Sequence, residues 1–431
     1  MESPDQMPDG GDKTTSGGSQ LWRTLRGFLP GIFLLGFCIG TGSVTAMAKA
    51  GATYGMSLLW TIAASCAATY VMISAYGHYT IVTGETALYA FRRRIHPAVG
   101  VFFIVALTAG VCGSVMGVMG IIADLCHEWS KTVIEGGVPP LWFALFFVSL
   151  VYYLFWNGET EFFQRSLALI VAVMAICFMI NFFVMMPPPG DILRGLLPSL
   201  PEVSSDQGRG PFLVIASMVG TTVFSGLFII RTTLVKEAGW NLSDEDQQRR
   251  DAFVSVVLMF VISGAIMAAA AGTLHADGIA LAQASQMVAL LEPLAGRLAT
   301  SIFVLGVIAA GVSSQFPNVL MLPWLLCDYN HSERDMTLPR YRVMVLLISL
   351  LGLVVPIFEA PPVFVMIVSQ AFNATILPAA VACILFLGNH EVMGEHQHSL
   401  STNVVLVLIL LFAITTATMG MHGVLLQAWR L

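Results

Sequence analysis

The sequence predicts an all-α membrane protein of about eleven spanning helices, on three observations. Apolar residues make up 56% of the chain and charged residues only 11%. An average soluble domain is roughly 25% charged, so a water-soluble fold could not cover this much apolar surface. Apolar runs of about 20 residues, the length that crosses the hydrocarbon, recur along the chain. Two of these runs are interrupted by glycines and hydroxyls at matching places.

Taken in order, the runs place the spans at Phe28–Ala48, Met56–Tyr76, Val99–Ile122, Leu141–Trp156, Ser166–Met186 and Phe212–Val235. The remaining spans fall at Ala252–Leu274, Leu298–Leu326, Val343–Phe358, Val363–Leu387 and Asn403–Leu425. Residues 1–27 are polar, lack the charged and apolar regions of a signal peptide, and read as a disordered cytoplasmic tail. Residues 28–187 form a first five-helix repeat and residues 188–387 a second. Residues 388–431 are a loop and the eleventh helix.

The first span reads Ile39-Gly40-Thr41-Gly42-Ser43-Val44-Thr45 in mid-membrane, and the sixth reads Gly220-Thr221-Thr222-Val223-Phe224-Ser225-Gly226. A lipid-facing helix carries Leu and Val there. Paired interruptions in the first helices of two five-helix halves mark an inverted-repeat transporter with its site between the breaks. Tight packing by small residues is the competing explanation.

Lys and Arg concentrate on the segments that an inside N-terminus places in the cytoplasm, led by Arg92-Arg93-Arg94 and Arg249-Arg250. The expected topology is therefore a multi-pass inner-membrane protein with a cytoplasmic N-terminus and an external C-terminus. Arg92–Arg94 is the one basic cluster, so nucleic-acid binding has no footprint. The cysteines mostly lie inside apolar runs without a CxxC pair and read as small core residues. No enzyme signature is found, and catalysis is not expected. The sequence leaves the oligomeric state open, with a monomer one option.

Gly51-Ala52-Thr53-Tyr54-Gly55-Met56-Ser57-Leu58-Leu59-Trp60, Ile81-Val82-Thr83-Gly84, Ala310-Gly311-Val312-Ser313-Ser314, and Ser369-Gln370 with Leu377-Pro378 resemble segments of the Nramp divalent-metal transporters. The resemblance runs from Leu29 to Leu387 and implies a LeuT-type fold, with broken first and sixth helices. It fails at the metal site. The family's Asp-Pro-Gly-Asn aligns with Gly40-Thr41-Gly42-Ser43, and its Met-Pro-His-Asn with Phe224-Ser225-Gly226-Leu227. The carboxylate, amide and thioether that would hold a metal are replaced by Gly40, Ser43 and Phe224. The family's sixth-span histidine aligns with Arg231, and Val105–Gly120 holds no acidic or basic side chain.

Divalent cations want hard oxygen ligands, usually with a carboxylate among them. No Asp or Glu stands in the middle of any expected span; Glu85, Asp124, Glu159 and Glu161 lie near span ends. What remains is an uncharged polar pocket. Its expected lining is Gly40, Thr41, Gly42, Ser43 and Thr45 from span one, and Thr221, Thr222, Phe224, Ser225 and Gly226 from span six. Gln370 and Asn373 complete it from span ten. The residues favour a small polar organic solute, a sugar or an amino-acid-like zwitterion, with no resident metal. The alternative is a divalent cation that keeps its water, of the Mg²⁺ type. No cofactor is expected apart from sodium as a coupling ion, for which Ser313 and Ser314 are candidates. Proton coupling by the family's route looks lost. Arg231, one turn below the sixth-span break, is a candidate gate that pairs with Glu237 or Glu85 or snorkels to the surface.

Overall fold

The computed structural model describes residues 40–131, 133–157, 176–180, 182–183, 187–201, 211–290 and 299–428. The expected tail, the front of the first span through Ile39, most of the fifth span, and Glu159 and Glu161 lie outside the described residues.

Helix α1 (Thr41–Tyr54) starts directly after Gly40, whose backbone is extended at φ −109° and ψ −173°. Helix α2 (Leu59–Thr83) stops at Gly84, where φ of 67° suits a residue without a Cβ. A short helical turn, Ala87–Ala90, and a π turn, Phe91–Ile95, lead into α3 (Pro97–Ser130). Pro97 opens α3, and the His96 ring caps it by accepting from the Ala98 N–H at 3.1 Å. Helix α4 is Pro140–Asn157. The sixth span is two half-helices, α5 (Phe212–Thr222) and α6 (Ser225–Glu237). Then follow α7 (Glu245–Ala270), α8 (Ala299–Asn330), α9 (Pro339–Leu350, continued by shorter turns to Phe358), α10 (Pro362–Gly388) and α11 (Leu400–Ala428).

Among the described residues, nine spans are long and apolar enough to cross a membrane. The expectation of eleven is therefore met only in part: α1 is the described remainder of the first span, and the fifth is largely undescribed. The breaks are also narrower than the sequence suggested. Thr41–Thr45 is helical, as are Thr221, Thr222, Ser225 and Gly226, leaving Gly40 on one side and Val223-Phe224 on the other as non-helical backbone. Ser43 and Thr45 satisfy their hydroxyls within α1 by donating to the carbonyls of Gly40 (3.0 Å) and Thr41 (2.7 Å).

Burial sorts the helices. The α5–α6 span is wholly enclosed, whereas α4 is only 22% buried and α9 and α11 33%. The apolar side chains on the open faces, such as Trp142, Phe146, Leu408 and Leu411, are what lipid requires. Helix α10 packs on α3, α5 and α11, while α7 packs on α1 and α2. The α3–α10 seam depends on missing side chains. A Cβ on Gly110 would strike the Asn373 amide oxygen, one on Gly113 would come within 2.9 Å of Ser369 Oγ, and one on Gly117 within 3.0 Å of Met366. Small residues let the two backbones close up, as in other membrane helix pairs.

Arg92, Arg93, Arg94, Arg334, Arg340 and Arg342 gather at one end of the bundle. Arg342 lies 3.8 Å from the Trp156 ring centre and Arg92 4.8 Å from that of Tyr329. Also at this end Glu85, buried in the turn after α2, accepts from Tyr79 (2.9 Å), Arg93 (3.2 Å) and Arg94 (2.8 Å). Burial raises its pKa, but the Arg94 and Tyr79 hydrogen bonds and the two arginine charges outweigh it and hold the carboxyl below its ordinary range. A depressed carboxylate stabilises the fold above its unfolded pKa, and that contribution is lost as pH falls through the folded value. The melting temperature of the purified protein should therefore drop as pH falls below the ordinary glutamate value of 4.5, and Glu85→Gln should flatten that part of the profile.

Candidate transport site

Between the start of α1 and the α5–α6 break lies a cavity of about 50 Å³. Gly40, Gly42 and Ser43 approach it from the start of α1, and Thr221 and Phe224 from the α5–α6 break. Helix α10 contributes Gln370 and Asn373, helix α8 Ser314 and Asn318, and helix α3 Val111, Ser114 and Val118. Seven of the expected residues thus share one cavity: Gly40, Gly42, Ser43, Thr221, Phe224, Gln370 and Asn373.

The other expected residues stand behind the wall. Thr45 is committed to the Thr41 carbonyl and Thr222 to that of Met218, at 2.8 Å. Gly226 makes room for the Phe224 ring, whose edge would lie 2.5 Å from an added Cβ. Thr41 and Ser225, the first residues of α1 and α6, are fully buried with hydroxyls that find no hydrogen-bond partner among the described residues. Of the two serines considered for sodium, Ser314 faces the central cavity and Ser313 donates to the Ala310 carbonyl at 3.3 Å.

Sequence reasoning missed Ser114 and Asn318. Asn318 stands one helical turn beyond Ser314, so α8 periodicity could have found it. Ser114 gave no such signal, because its role depends on the glycine seam that draws α3 against α10. There its hydroxyl lies 3.0 Å from Ser369 Oγ and accepts from Gln370 Nε2 at 3.3 Å. The Gln370 carbonyl oxygen accepts from Asn373 Nδ2 at 3.4 Å. These contacts aim two amides and the Ser114 hydroxyl at the cavity from α10 and α3.

Helix α5 comes close enough to fix that arrangement. A Cβ on Gly220 would land on the backbone carbonyl of Gln370. Gly220→Ala should therefore push α10 away from α5 and misplace Gln370. The expected result is a folded protein with ligand binding at the cavity weakened at least tenfold, about 1.4 kcal/mol, read as lost ligand-induced thermal stabilisation.

The wall carries no charged side chain among the described residues. Among the described residues no three His, Cys, Asp or Glu side chains form a group able to hold a metal. The thioether nearest the cavity, Met366, accepts from Gln370 Nε2 at 3.4 Å. The sequence reading of Arg231 needs correction. Arg231 neither snorkels nor meets Glu237 or Glu85; it is fully buried and donates to Asp251 of α7 at 2.6 Å. Glu237 pairs instead with Arg334 at 3.2 Å. The error lay in the seventh span, expected from Ala252 although α7 begins at Glu245 and so carries Asp251 into the bundle. Asp328 was missed the same way, since α8 runs to Asn330 and buries it, where it accepts from the Leu88 N–H at 3.2 Å.

The family model for natural resistance-associated macrophage protein-like chains, Nramp, matches residues 32–422. The chain belongs to the Nramp family. The divalent metal cation transporter MntH of Erwinia tasmaniensis is 24% identical over 368 residues, which is 84% of this chain and 85% of that protein. The MntH of Ralstonia nicotianae is 27% identical over 315 residues, covering 70% and 68%. In fold, this Nramp chain is similar to a variant of the Eremococcus coleocola manganese transporter, with a TM-score of 0.73 at 16% identity, covering 96% of this chain and 88% of that one. It is also similar to the nucleobase-cation-symport transporter Mhp1, with a TM-score of 0.58 at 16% identity, covering 94% and 92%. These findings overturn the expectation of a sugar or amino-acid-like solute: the curated relatives are metal cation transporters. The sequence argument went astray by treating a missing carboxylate as a missing metal. The cavity volume agrees with the correction, being far below the roughly 300–1,000 Å³ of pockets that enclose drug-sized ligands.

Proposed function

We propose that this protein carries a divalent metal cation across the membrane through the central cavity, and that the ion keeps part of its water shell there. Family membership supports the cargo class, and the carboxylate-free wall supports the hydrated state. A bare dication in low dielectric would cost tens of kcal/mol without an anion beside it. A cavity of about 50 Å³ is several times the roughly 10–15 Å³ that admits a water, so an ion can keep part of its shell there. Water retained on the ion, with the oxygens of Ser43, Thr221, Gln370 and Asn373 around it, spreads that cost. Mg²⁺ is the dication that sheds water most reluctantly and takes oxygen ligands, so the site suits Mg²⁺ better than softer metals.

Proton coupling finds little support in the wall. Relays through a membrane use Asp, Glu or His, and α3 offers glycines and a serine where such side chains would need space. The lysine and arginine distribution favours a cytoplasmic arginine-rich end and an inner-membrane location.

The single observation that carries this reading is a cavity of ion-and-water size lined by neutral oxygens between the start of α1 and the α5–α6 break of an Nramp chain. Uptake of Mg²⁺ and Mn²⁺ into proteoliposomes tests it. Mg²⁺ should enter, and Gln370→Leu or Asn373→Leu should cut the rate at least tenfold while the protein stays folded. Accumulation of a sugar or amino acid with no metal uptake would refute it.

A further inference from the structure

At the end of the bundle away from the arginines lies a second cavity, of about 550 Å³. It sits between the turn that joins α1 to α2, the π turn Ala271–His275 that follows α7, and a short helix, Pro189–Gly195. Its size falls among the roughly 300–1,000 Å³ of pockets that enclose small ligands. Tyr54, Ser57, Asp191, Arg194, Ser199 and His275 supply its polar side chains.

The walls are tied to one another. Gly195 packs so closely on the α1–α2 turn that an added Cβ would strike the Met56 carbonyl. Trp60 Nε1 donates to the Ser199 carbonyl at 3.0 Å, and His275 Nδ1 lies 3.2 Å from the Ala52 carbonyl oxygen. Asp191 and Arg194 line the same wall with opposite charges, and neither side chain meets an ion-pair or hydrogen-bond partner among the described residues. Three residues apart on a helix, they stand about 5–6 Å from each other at Cβ. The same connection also carries Leu193, Leu196, Leu197 and Leu200, all exposed. Leucines open to the surroundings beside a charged pair that lines a cavity are what a segment lying in the membrane interface carries.

We infer that this cavity takes the head group of an ethanolamine phospholipid from the adjoining leaflet. The Arg194 guanidinium suits the phosphate, and the Asp191 carboxylate suits the ammonium. Two carbons separate those groups in the lipid, which matches side chains one turn apart. The leucines give the acyl chains an apolar surface. A primary ammonium brings three N–H donors to a carboxylate. A choline head group brings none, and a glycerol head group leaves Asp191 facing a phosphate with no cation between them. The site reaches the central cavity through α1, which runs from Gly40, Gly42 and Ser43 there to Tyr54 here and seats Gly51 on the Met267 carbonyl of α7. A bound lipid therefore braces the ends of α1 and α7 against the α1–α2 turn. The effect on transport rests on the proposed function; lipid binding does not.

Native mass spectrometry of the intact protein, released from nanodiscs of equal parts phosphatidylethanolamine, phosphatidylcholine and phosphatidylglycerol, reads the selectivity. The ethanolamine lipid should be retained several-fold over the other two. Asp191→Asn should erase its advantage over the choline lipid, and Arg194→Gln should lower retention of all three. Equal retention of the three lipids, or an ethanolamine preference intact in both variants, would overturn the site. Displacement by millimolar free phosphoethanolamine would overturn the lipid as its occupant. In proteoliposomes, Mg²⁺ flux should be several-fold faster with phosphatidylethanolamine than with phosphatidylcholine, and Asp191→Asn should remove the difference. Flux that ignores the lipid while binding discriminates would overturn the link to the central cavity. Absence of flux in every lipid, with the binding preference intact, would count against the proposed cargo and leave the lipid site standing.

Discussion

Arg231→Met should destabilise the protein by about 3–5 kcal/mol, and adding Asp251→Leu should recover most of that loss. The pair is completely enclosed, with Arg231 0% and Asp251 1% exposed. The guanidinium also donates to the Gln248 carbonyl at 3.5 Å and lies 5.2 Å from the Trp240 ring centre. Removing one partner strands the other charge in low dielectric, whereas removing both leaves a packed apolar contact. Thermal unfolding in detergent of the two single variants and the double variant checks this. Equal losses in all three would mean that shape at the α6–α7 contact matters more than charge. The pair also bears on how the molecule moves: because parting it is costly, α6 and α7 should travel together when the arginine-rich side opens.

The second large effect concerns the cavity. Gly40→Asp should convert the site to one that holds Mn²⁺ tightly. Gly40 lines the cavity with extended backbone at φ −109°, a conformation open to any residue. Two unit charges about 4 Å apart attract by about 4 kcal/mol at an effective dielectric of 20. A dication doubles that figure, and burying the new carboxylate takes much of it back. A net gain of about tenfold to a hundredfold in Mn²⁺ affinity is the expected result, or about 1.4–2.8 kcal/mol. Calorimetric titration with Mn²⁺ and Mg²⁺ measures it. Transport through the variant should slow, because an ion held by a carboxylate leaves less readily. An unchanged Mn²⁺ affinity would show that the ion does not pass Gly40.

The sequence carried the architecture further than the chemistry. Apolar runs located the spans that the structure describes, and the glycine and hydroxyl cluster of the sixth span located its break, because both are local patterns. The wall of the cavity was legible where it came from the breaks themselves, at Gly40, Ser43, Thr221 and Phe224, and from the amides of α10. Ser114 escaped because what places it is the fit of α3 glycines to Ser369 and Met366, and that fit is a property of two helices. Asp251 escaped for a different reason. Charged residues at the start of α7 look like a loop to any hydropathy window, and only the partner, Arg231, makes their burial affordable. The organic-solute expectation, overturned by the metal-transporting relatives, rested on electrostatics that hold for a bare ion; the dication proposed here brings oxygen ligands of its own.

That last point is the centre of the account, and one experiment addresses it. Proteoliposomes loaded with both a Mg²⁺-sensitive and a pH-sensitive dye are given an inward Mg²⁺ gradient, and the two signals are followed together. The account predicts Mg²⁺ entry that depends on Gln370 and Asn373, with no accompanying proton movement. Vesicles that admit no more Mg²⁺ than protein-free ones would contradict it.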